Sequence, residues 1–449
     1  MRLITAFFSD NDKALWRLAL PMIFSNITVP LLGLVDTAVI GHLDSPSYLG
    51  GVAVGAMVTS FLFMLFLFLR MSTTGLAAQA QGAGDAQRLA QAFVQPLLLA
   101  GIVGLAILLL RRPLIGLALQ VVGGDGEVLQ QARLFLDIRW LSAPAALANM
   151  VLLGWLLGVQ YVRAPVLLLI AGNLLNIVLD VWLVMGLGWN VQGAALATVV
   201  SEYAMLLFGL WLAWRVMRRR GISLPILRQA WRGNLGRLLA LNRDIMLRSL
   251  LLQLCFASLT ILGARLGSEV VAVNAVLMNL LTFTAYALDG FAYAVEVHSG
   301  HAYGARDDRK LHQVWHAACR QAGLVALGFA AIYAVAGQQI VGALTSLPAL
   351  RELANHYLGW QVVLPLVSVW CYLMDGMFIG ATRGAEMRNS MAVAAAGYAL
   401  ALLTLPLLGN HALWLALCVF QMLRGITLGW LWLRHNRQGT WFAHERARE

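Results

Sequence analysis

Several oxygen-bearing side chains interrupt apolar stretches of the sequence, where they could exchange a proton or hold a small cation. Asp36 stands near the end of the first long apolar run, in LLGLVDTAVIGHL, and Asn176 and Asp180 are four residues apart in GNLLNIVLD. Residues four apart lie on one face of a helix. Thr198 follows in GAALATVV. Two carboxylates with amide and hydroxyl neighbours in a low-dielectric setting can share and release a proton, or hold Na⁺ through hard oxygen ligands.

The segments around these residues have the composition of membrane helices. Of the 449 residues, 60% are hydrophobic and 12% are charged, whereas soluble domains are about 45–50% apolar and about 25% charged. Apolar runs of roughly 20 residues, the length that crosses a bilayer as a helix, recur along the chain. The sequence therefore predicts an all-α polytopic membrane protein. Its expected transmembrane helices, about twelve, are 14–41, 48–69, 89–110, 134–158, 165–187, 191–214, 244–266, 270–298, 312–336, 357–381, 390–409 and 411–433.

Basic residues set the predicted orientation of these spans. The loops HLDSPSY, LGWNVQG and LGNHAL carry no Lys or Arg, whereas the segment from Arg215 to Arg243 holds eight arginines. Because cytoplasmic loops retain Lys and Arg, we expect both termini and this segment in the cytoplasm. Arg111, Arg112 and Arg351 are exceptions. The formal charge of +11 then reflects membrane topology, and we expect no nucleic-acid partner.

The chain also repeats itself weakly at an offset of 222 residues, which pairs Asp85 with Asp307 and GWLLG (154–158) with GMFIG (376–380). Six spans separate the copies, so both halves have the same orientation and their pseudo-two-fold axis runs along the membrane normal. We predict two six-helix lobes, 1–214 and 244–433, a basic cytoplasmic linker, 215–243, and a cytoplasmic tail, 434–449. Helical spacing of apolar residues predicts an interfacial helix in the linker; a linker held in the cytoplasm by its charge is the alternative.

When positions are counted from the ends of the predicted spans, the polar residues of the first lobe lie at similar depths, in the outer half of the membrane. Asp36 lies about six residues, or roughly 9 Å, from the outer end of its span, and Asp180 and Thr198 lie at similar depths, with Glu202 one turn deeper. The alternative to ion coupling is a buried hydrogen-bond network that only fixes helix packing. Pro21, about four turns below Asp36, predicts a hinge in the first span, with a plain kink as the alternative.

The second lobe differs, because the repeat places Ser258 opposite Asp36. Its intramembrane acids are Asp289, Glu296 and Asp375. They either bind a cationic substrate or a second ion, or pair with Arg70 or Arg424. No catalytic triad or metal-ligand spacing is recognisable, so we expect neither an enzyme nor a cofactor or structural metal.

The stretches LALPMIFSNI…LLGLVDTAVIGHL, GNLLNIVLD and GAALAT resemble the multidrug and toxic compound extrusion (MATE) family. The similarity is closest to its bacterial DNA-damage-inducible (DinF) branch and extends over essentially the whole chain. It implies a V-shaped, monomeric antiporter of the bacterial inner membrane that exports organic cations and amphipathic toxic compounds in exchange for H⁺ or Na⁺. The coupling residues that it implies are Asp36 as protonation switch, with Asn176, Asp180 and Thr198, and a bend of the first span at Pro21.

In another branch of that family, ion-binding acids lie in the second lobe on the equivalents of spans 7 and 10. Here Asp375 is present on span 10, but span 7 has no acid at mid-membrane, which argues against an intact cation site there. A lipid-linked oligosaccharide flippase of the same superfamily is the alternative function. Such flippases tend to have a cationic cavity, whereas the intramembrane charges expected here are mainly acids.

Overall fold

The computed structural model describes residues 9–41, 46–124, 126–161 and 163–444, and leaves out the side chains of residues 28–38 and 443–444. These residues form helices and short connections, with no β-strand among them. The helices of the first half are α1 (Asp10–Gly41), α2 (Pro46–Leu65), α3 (Phe68–Ala83), α4 (Ala86–Leu109), α5 (Arg111–Val122), α6 (Gly126–Arg139), α7 (Ala143–Gly158), α8 (Arg163–Asp180) and α9 (Asn190–Arg219).

The second half of the chain contains the remaining helices. Its helices are α10 (Leu224–Gln229), α11 (Leu235–Leu266), α12 (Ser268–Gly304), α13 (Asp308–Leu344), α14 (Pro348–Gly380), α15 (Gly384–Ala401), α16 (Leu405–Leu408) and α17 (Asn410–Gln438). Short 3-10 turns cover Trp140–Ser142, Leu402–Thr404 and Trp441–His444, and a π-helical segment, Val181–Gly186, follows α8.

Eleven helical segments among the described residues are long and apolar enough to cross a membrane. α1, with 32 residues, occupies the place of the first predicted span. The prediction of an all-α polytopic membrane fold is therefore confirmed. Apolar side chains cover much of the outer surface, as a protein in lipid requires: Leu407 is 88% exposed and Val335 is 83% exposed.

Two local features differ from what the sequence predicts. The linker does not carry one continuous helix, because α10 ends at Gln229, and Gly233 (φ +87°) and Asn234 (φ +55°) adopt left-handed backbone conformations before α11 begins. The extra helix α5 was not predicted. Its first residue, Arg111, donates from Nε to the Asp137 carbonyl oxygen at 3.1 Å and lies 3.3 Å from the Asp137 carboxylate, so this exception to the charge pattern has a local acidic partner.

The 222-residue repeat is visible in the packing. A Cβ on Gly154 would lie 2.6 Å from the carbonyl oxygen of Arg70, and a Cβ on Gly376 would lie 2.8 Å from that of Ala292. Both pairs are related by the same offset, so α7 packs on α3 as α14 packs on α12. The backbone agrees: the paired positions Gln160 and Thr382, and likewise Gly84 and Arg306, all have positive φ. Asp85 and Asp307 cap α4 and α13.

By packing, the chain divides into two compact units. Phe24–Leu239 forms one unit, which we call the first unit, and Ala240 onward, together with the chain before Phe24, forms the second unit. The predicted lobe 1–214 had included the N-terminal part of α1. The structure instead packs that part with the second unit, through contacts of Asp12 and Trp16 with α12 and α13.

Each unit has its own apolar core. In the first unit it is built around α3, α4, α7 and α9. Trp155 is fully buried there, and the centroid of its indole ring lies 5.3 Å from that of the Phe93 phenyl ring. In the second unit it is built around α11 to α15 and α17, with Trp414 fully buried. These cores hold the helices that carry the polar residues described next.

Candidate functional site

Asn176 and Asp180 lie on one face of α8, and this face is turned into the first unit. Asn176 is 4% exposed and Asp180 is 0% exposed, although the helix consists largely of lipid-like apolar residues. The π-helical segment Val181–Gly186 begins directly after Asp180. Such segments widen the backbone turn and are frequent at functional sites. A buried acid at this junction is therefore held by the packing of the unit and does not face lipid.

Thr198 of α9 joins this pair. Asn176 Nδ2 donates to Thr198 Oγ1 at 3.4 Å, and Thr198 Oγ1 donates to the Ala194 carbonyl oxygen at 3.3 Å. The Asn176 Oδ1 atom is fully buried and accepts no hydrogen bond from the part of the chain that the structure describes. The structure thus brings Asn176 and Thr198 together from two helices, with Asp180 one turn from Asn176 on the same helix.

Asp36 lies on α1, but its side chain is outside the described residues. The repeat shows what surrounds the equivalent position in the second unit, which is Ser258. Ser258 Oγ lies 2.9 Å from the Tyr398 hydroxyl oxygen, and Tyr398 is the repeat equivalent of Asn176. The ring of Tyr398 lies 6.0 Å from that of Phe420, the equivalent of Thr198. Three equivalents of the predicted coupling residues are therefore neighbours in the second unit.

The sequence interpretation missed one half-buried ion pair beside this site. Arg139 of α6 donates to both carboxylate oxygens of Glu202, at 2.9 and 3.2 Å, and to Ser142 Oγ at 2.5 Å. Asn149 Nδ2 donates to the Glu202 carbonyl oxygen at 3.0 Å. Glu202, one turn from Thr198, is thus neutralised by a partner. Arg139 itself was the available signal, since a cation within a predicted span needs a counter-ion.

In the second unit, Asp375 is held by two arginines. Arg248 and Arg424 donate to the same oxygen, Asp375 Oδ2, at 2.5 and 2.6 Å, and Arg424 also donates to Gln421 Oε1 at 2.7 Å. All three charged side chains are at most 10% exposed. Pairing with Arg424 was one of the two predicted alternatives; Arg248 was not considered as a partner.

The other two predicted acids of the second unit lie on α12. Glu296 is 2% exposed, and Asp289 is half-buried. No group of three or more His, Cys, Asp or Glu side chains among the described residues could hold a metal ion. The cysteines are all free thiols, three of them buried.

Pro21, the predicted hinge, lies within α1, which continues as helix on both sides of it. The division between the two units falls between Ile23 and Phe24, within one turn of this proline. A helix that changes packing partners next to a missing backbone hydrogen bond can bend there at low cost.

The comparisons with known proteins agree with this architecture. The model of the MatE family matches the chain twice, at residues 21–182 and 245–407, which are the two copies of the repeat. The chain is 72% identical to the DNA damage-inducible protein F of Escherichia coli (strain K12) over 438 residues, covering 98% of this chain and 95% of that protein. It is 23% identical to the multidrug export protein MepA of Staphylococcus aureus (strain NCTC 8325 / PS 47), covering 84% and 83%.

Solved structures of transporters share the fold. A MATE crystal structure in the bent conformation has a TM-score of 0.84 at 22% identity, covering 97% of this chain and 98% of that chain. An outward-facing multidrug resistance MATE transporter of the MOP superfamily has a TM-score of 0.80 at 24% identity, with the same coverage. With two matches of the family model over most of its length, this chain belongs to the MatE family of membrane transporters.

Proposed function

We propose that this transporter is a multidrug efflux antiporter, which exports organic cations and amphipathic toxic compounds in exchange for H⁺, or for Na⁺ bound at the same oxygens. Asp36, Asn176, Asp180 and Thr198 form the coupling site, and Pro21 is the hinge. The names of relatives, multidrug export protein and multidrug resistance protein, support this substrate class. We place the protein in the bacterial inner membrane as a monomer, with both termini in the cytoplasm.

The observation that carries the proposal is the geometry shared by the two copies of the repeat. In the first unit Asn176 contacts Thr198, and in the second unit their equivalents Tyr398 and Phe420 are neighbours, with Ser258 against Tyr398. Equivalent helices pack alike in both units, so Asp36 is expected beside Asn176. A carboxylate there would complete a group of oxygen ligands around two acids.

Coupling follows if proton and substrate exclude each other. In the outward-facing state Asp36 and Asp180 accept a proton, or bind Na⁺, and the site loses its negative charge. The bound cation then loses its electrostatic attraction and leaves, while α1 bends near Pro21. In the inward-facing state the ion leaves and the restored negative charge attracts the next cation. Only such a difference in affinity between states couples two ligands.

The arginine pairs of both units fit cation export better than export of an anionic lipid-linked sugar. A flippase for such a substrate needs cationic groups that are available to the anion. Arg248 and Arg424 instead both donate to Asp375, and Arg139 donates to Glu202. The side chains of these three arginines are thus already paired with carboxylates of the protein.

The proposal is tested with purified protein in proteoliposomes and tetraphenylphosphonium as the transported cation. Asp36→Asn should abolish substrate-driven H⁺ movement, because the amide cannot change its charge. The exposed acid Asp10 on the same helix supplies a matched control, Asp10→Asn, which should retain the parental rate. Parental H⁺ movement in the Asp36→Asn protein would contradict the proposal. Imposed pH and Na⁺ gradients, compared side by side, identify the coupling ion.

A further inference from the structure

The inner end of α1 is held to the second unit by an ion pair. Asp12 is 0% exposed, and its carboxylate accepts hydrogen bonds from the backbone N–H and the hydroxyl of Ser9, at 2.9 and 2.7 Å. Arg320 of α13 lies with its Nη2 atom 3.2 Å from each carboxylate oxygen. A buried carboxylate is stable only with such compensation. The pair therefore fixes the position of the helix end.

The next turns of α1 add neutral contacts with the same unit. Trp16 Nε1 donates to Gln321 Oε1 at 2.9 Å, and the Trp16 indole ring packs edge-on against Phe291 at 4.9 Å. The ring Nε2 of His298 lies 3.3 Å from the Ala14 carbonyl oxygen. Leu15, Leu18 and Ala19 on the same segment are at most 2% exposed. One face of the segment is thus buried from Asp12 to the turn before Pro21.

Two further hydrogen bonds join the first turn of α1 to α13. Lys310 Nζ donates to Asn11 Oδ1 at 2.5 Å, and Asn11 Nδ2 donates to Gln313 Oε1 at 3.3 Å. Together with the ion pair they connect α13 to one end of α1 at three positions, Lys310, Gln313 and Arg320. Movement of this helix end away from α13 would break all of these contacts at once.

α1 is one continuous helix from Asp10 to Gly41, and its remaining part, from Phe24, belongs to the first unit. Asp36 is 24 residues beyond Asp12, a distance of about 36 Å along a helix. One helix thus carries the predicted ion switch in one unit and is anchored in the other. Its repeat equivalent α11 also changes units, but only its first five residues, Leu235–Leu239, pack with the first unit.

We propose that the Asp12–Arg320 pair, with Trp16–Gln321, is a permanent anchor that turns α1 into a lever between the two units. A change at Asp36 alters α1 in the first unit, and the anchored end passes this change to the second unit through the Pro21 region. Arg320 and Asp12 are then positioning residues for transport that touch neither ion nor substrate. This inference rests on the proposed function of Asp36.

The full burial of Asp12 favours a permanent anchor over a gate that opens in each cycle. If the gate opened, the Asp12 carboxylate would lose Arg320, and the hydrogen bonds of Trp16 and Asn11 would break in every turnover. A lever, in contrast, needs these contacts to persist while the helix bends further along. The two arrangements make opposite predictions for a protein in which the anchor is cross-linked.

The cross-link is made between Asn11→Cys and Gln313→Cys, whose parent side chains are hydrogen-bonded, with a short bifunctional thiol reagent. The background lacks the four native cysteines and must itself export tetraphenylphosphonium from proteoliposomes. We expect the cross-linked protein to keep at least half of the efflux rate. Loss of efflux on cross-linking, with recovery after reduction of the linker, would overturn the permanent anchor.

The converse experiment breaks the anchor. Arg320→Gln and Asp12→Asn should lower efflux at least tenfold and lower the number of substrate molecules exported per ion, while the Kd for tetraphenylphosphonium stays within twofold. Arg320→Lys should recover part of the ratio. The controls are Arg309→Gln and Asp10→Asn, which change exposed charges on the same two helices. An unchanged ratio in the Arg320→Gln and Asp12→Asn proteins would contradict the lever.

Failure of this inference is distinguishable from failure of the proposed function. If Asp36→Asn abolishes ion coupling while Arg320→Gln leaves the ratio intact, the lever alone is wrong. If Asp36→Asn leaves coupling intact, the ion switch itself is wrong. Should Arg320→Gln fail to fold, the cross-linked protein still decides between anchor and gate.

Discussion

Polar side chains within the helices of this protein fall into two chemical groups. Glu202 and Asp375 are compensated by arginines at hydrogen-bond distance, whereas Asn176 and Thr198 in the first unit form a neutral pair, in which Asn176 donates to the Thr198 hydroxyl. Paired charges stabilise packing only as long as both partners are present. We therefore expect different consequences when members of the two groups are changed.

Removal of the Asp375 carboxylate should act on stability. Asp375→Asn leaves Arg248 and Arg424 as uncompensated buried cations, and breaking such a pair typically costs about 3–5 kcal/mol. We expect a lower unfolding temperature in detergent, measured by intrinsic fluorescence. Glu352→Gln, which changes an exposed acid on the same helix, is the control. An Asp375→Asn protein as stable as this control would show that the two arginines do not depend on Asp375.

Removal of the Thr198 hydroxyl should act on transport. Thr198→Val keeps the shape but leaves Asn176 Nδ2 without the acceptor seen at 3.4 Å, and an unsatisfied buried donor costs about 1–3 kcal/mol. If that cost disturbs the ion-binding geometry, efflux in proteoliposomes should fall severalfold and its pH dependence should shift. Thr260→Val, at an exposed position of α11, should leave both unchanged. A parental pH profile in the Thr198→Val protein would remove Thr198 from the coupling site.

At the scale of helices, glycines determine how closely equivalent pairs approach. Gly154 and Gly376 face backbone carbonyl oxygens of α3 and α12, and an added Cβ would lie only 2.6 and 2.8 Å from them. Since real carbon atoms do not approach so closely, one of the helices must shift. In both units the glycine at this repeat position thus lets one helix approach the backbone of its neighbour closely.

Substitution of these glycines should destabilise the protein although alanine favours helix. Gly154→Ala and Gly376→Ala are expected to cost about 1–3 kcal/mol through overpacking, seen as a lower unfolding temperature. Gly101→Ala in α4, where a Cβ meets nothing within 4 Å, should be neutral or stabilising by up to about 1 kcal/mol. Equal effects at all three positions would mean that the close helix contacts can relax without cost.

The predicted hinge is also tested at this scale. Pro21→Ala restores a backbone hydrogen-bond donor in α1 and should stiffen the helix next to the division between the units. We expect slower efflux at an unchanged Kd for tetraphenylphosphonium, since the ground state is not altered. Pro96→Ala inside α4 is the control for a proline that is not at this division. An unchanged efflux rate in the Pro21→Ala protein would favour the plain kink.

For the whole molecule, the two copies of the repeat have the same helix packing but different chemistry at the equivalent sites. Asp36, Asn176 and Thr198 correspond to Ser258, Tyr398 and Phe420, a set without any acid. The second unit therefore retains the geometry of a polar site while its side chains cannot change charge at physiological pH. The expected consequence is one ion-coupling site per chain.

This asymmetry gives a prediction with an internal control. Asp36→Ala should abolish ion-driven efflux, whereas Ser258→Ala, at the equivalent position of the other unit, should retain the parental ratio of ions to substrate and at least half of the rate. Both are measured in the same vesicles under an imposed pH gradient. Loss of coupling in the Ser258→Ala protein would show that the second unit takes part in ion binding.

The sequence by itself determined the membrane class, the helix order and the repeat. These features depend on local properties: the length of apolar runs, the placement of arginines and the spacing of glycines and turn residues. The pairing of Asn176 with Thr198 was also within reach, because short connections and equal depth place α8 and α9 side by side.

Only the tertiary structure decided which buried charges have partners and where α1 belongs. Arg248 and Asp375 are 127 residues apart and Asp12 and Arg320 are 308 residues apart, and no local pattern indicates that such residues meet. Contacts of this kind depend on how whole helices pack after insertion, when each buried charge must find compensation within reach. For the same reason the N-terminal end of α1 packs with the unit that contains Arg320, although its position in the sequence had assigned it to the other unit.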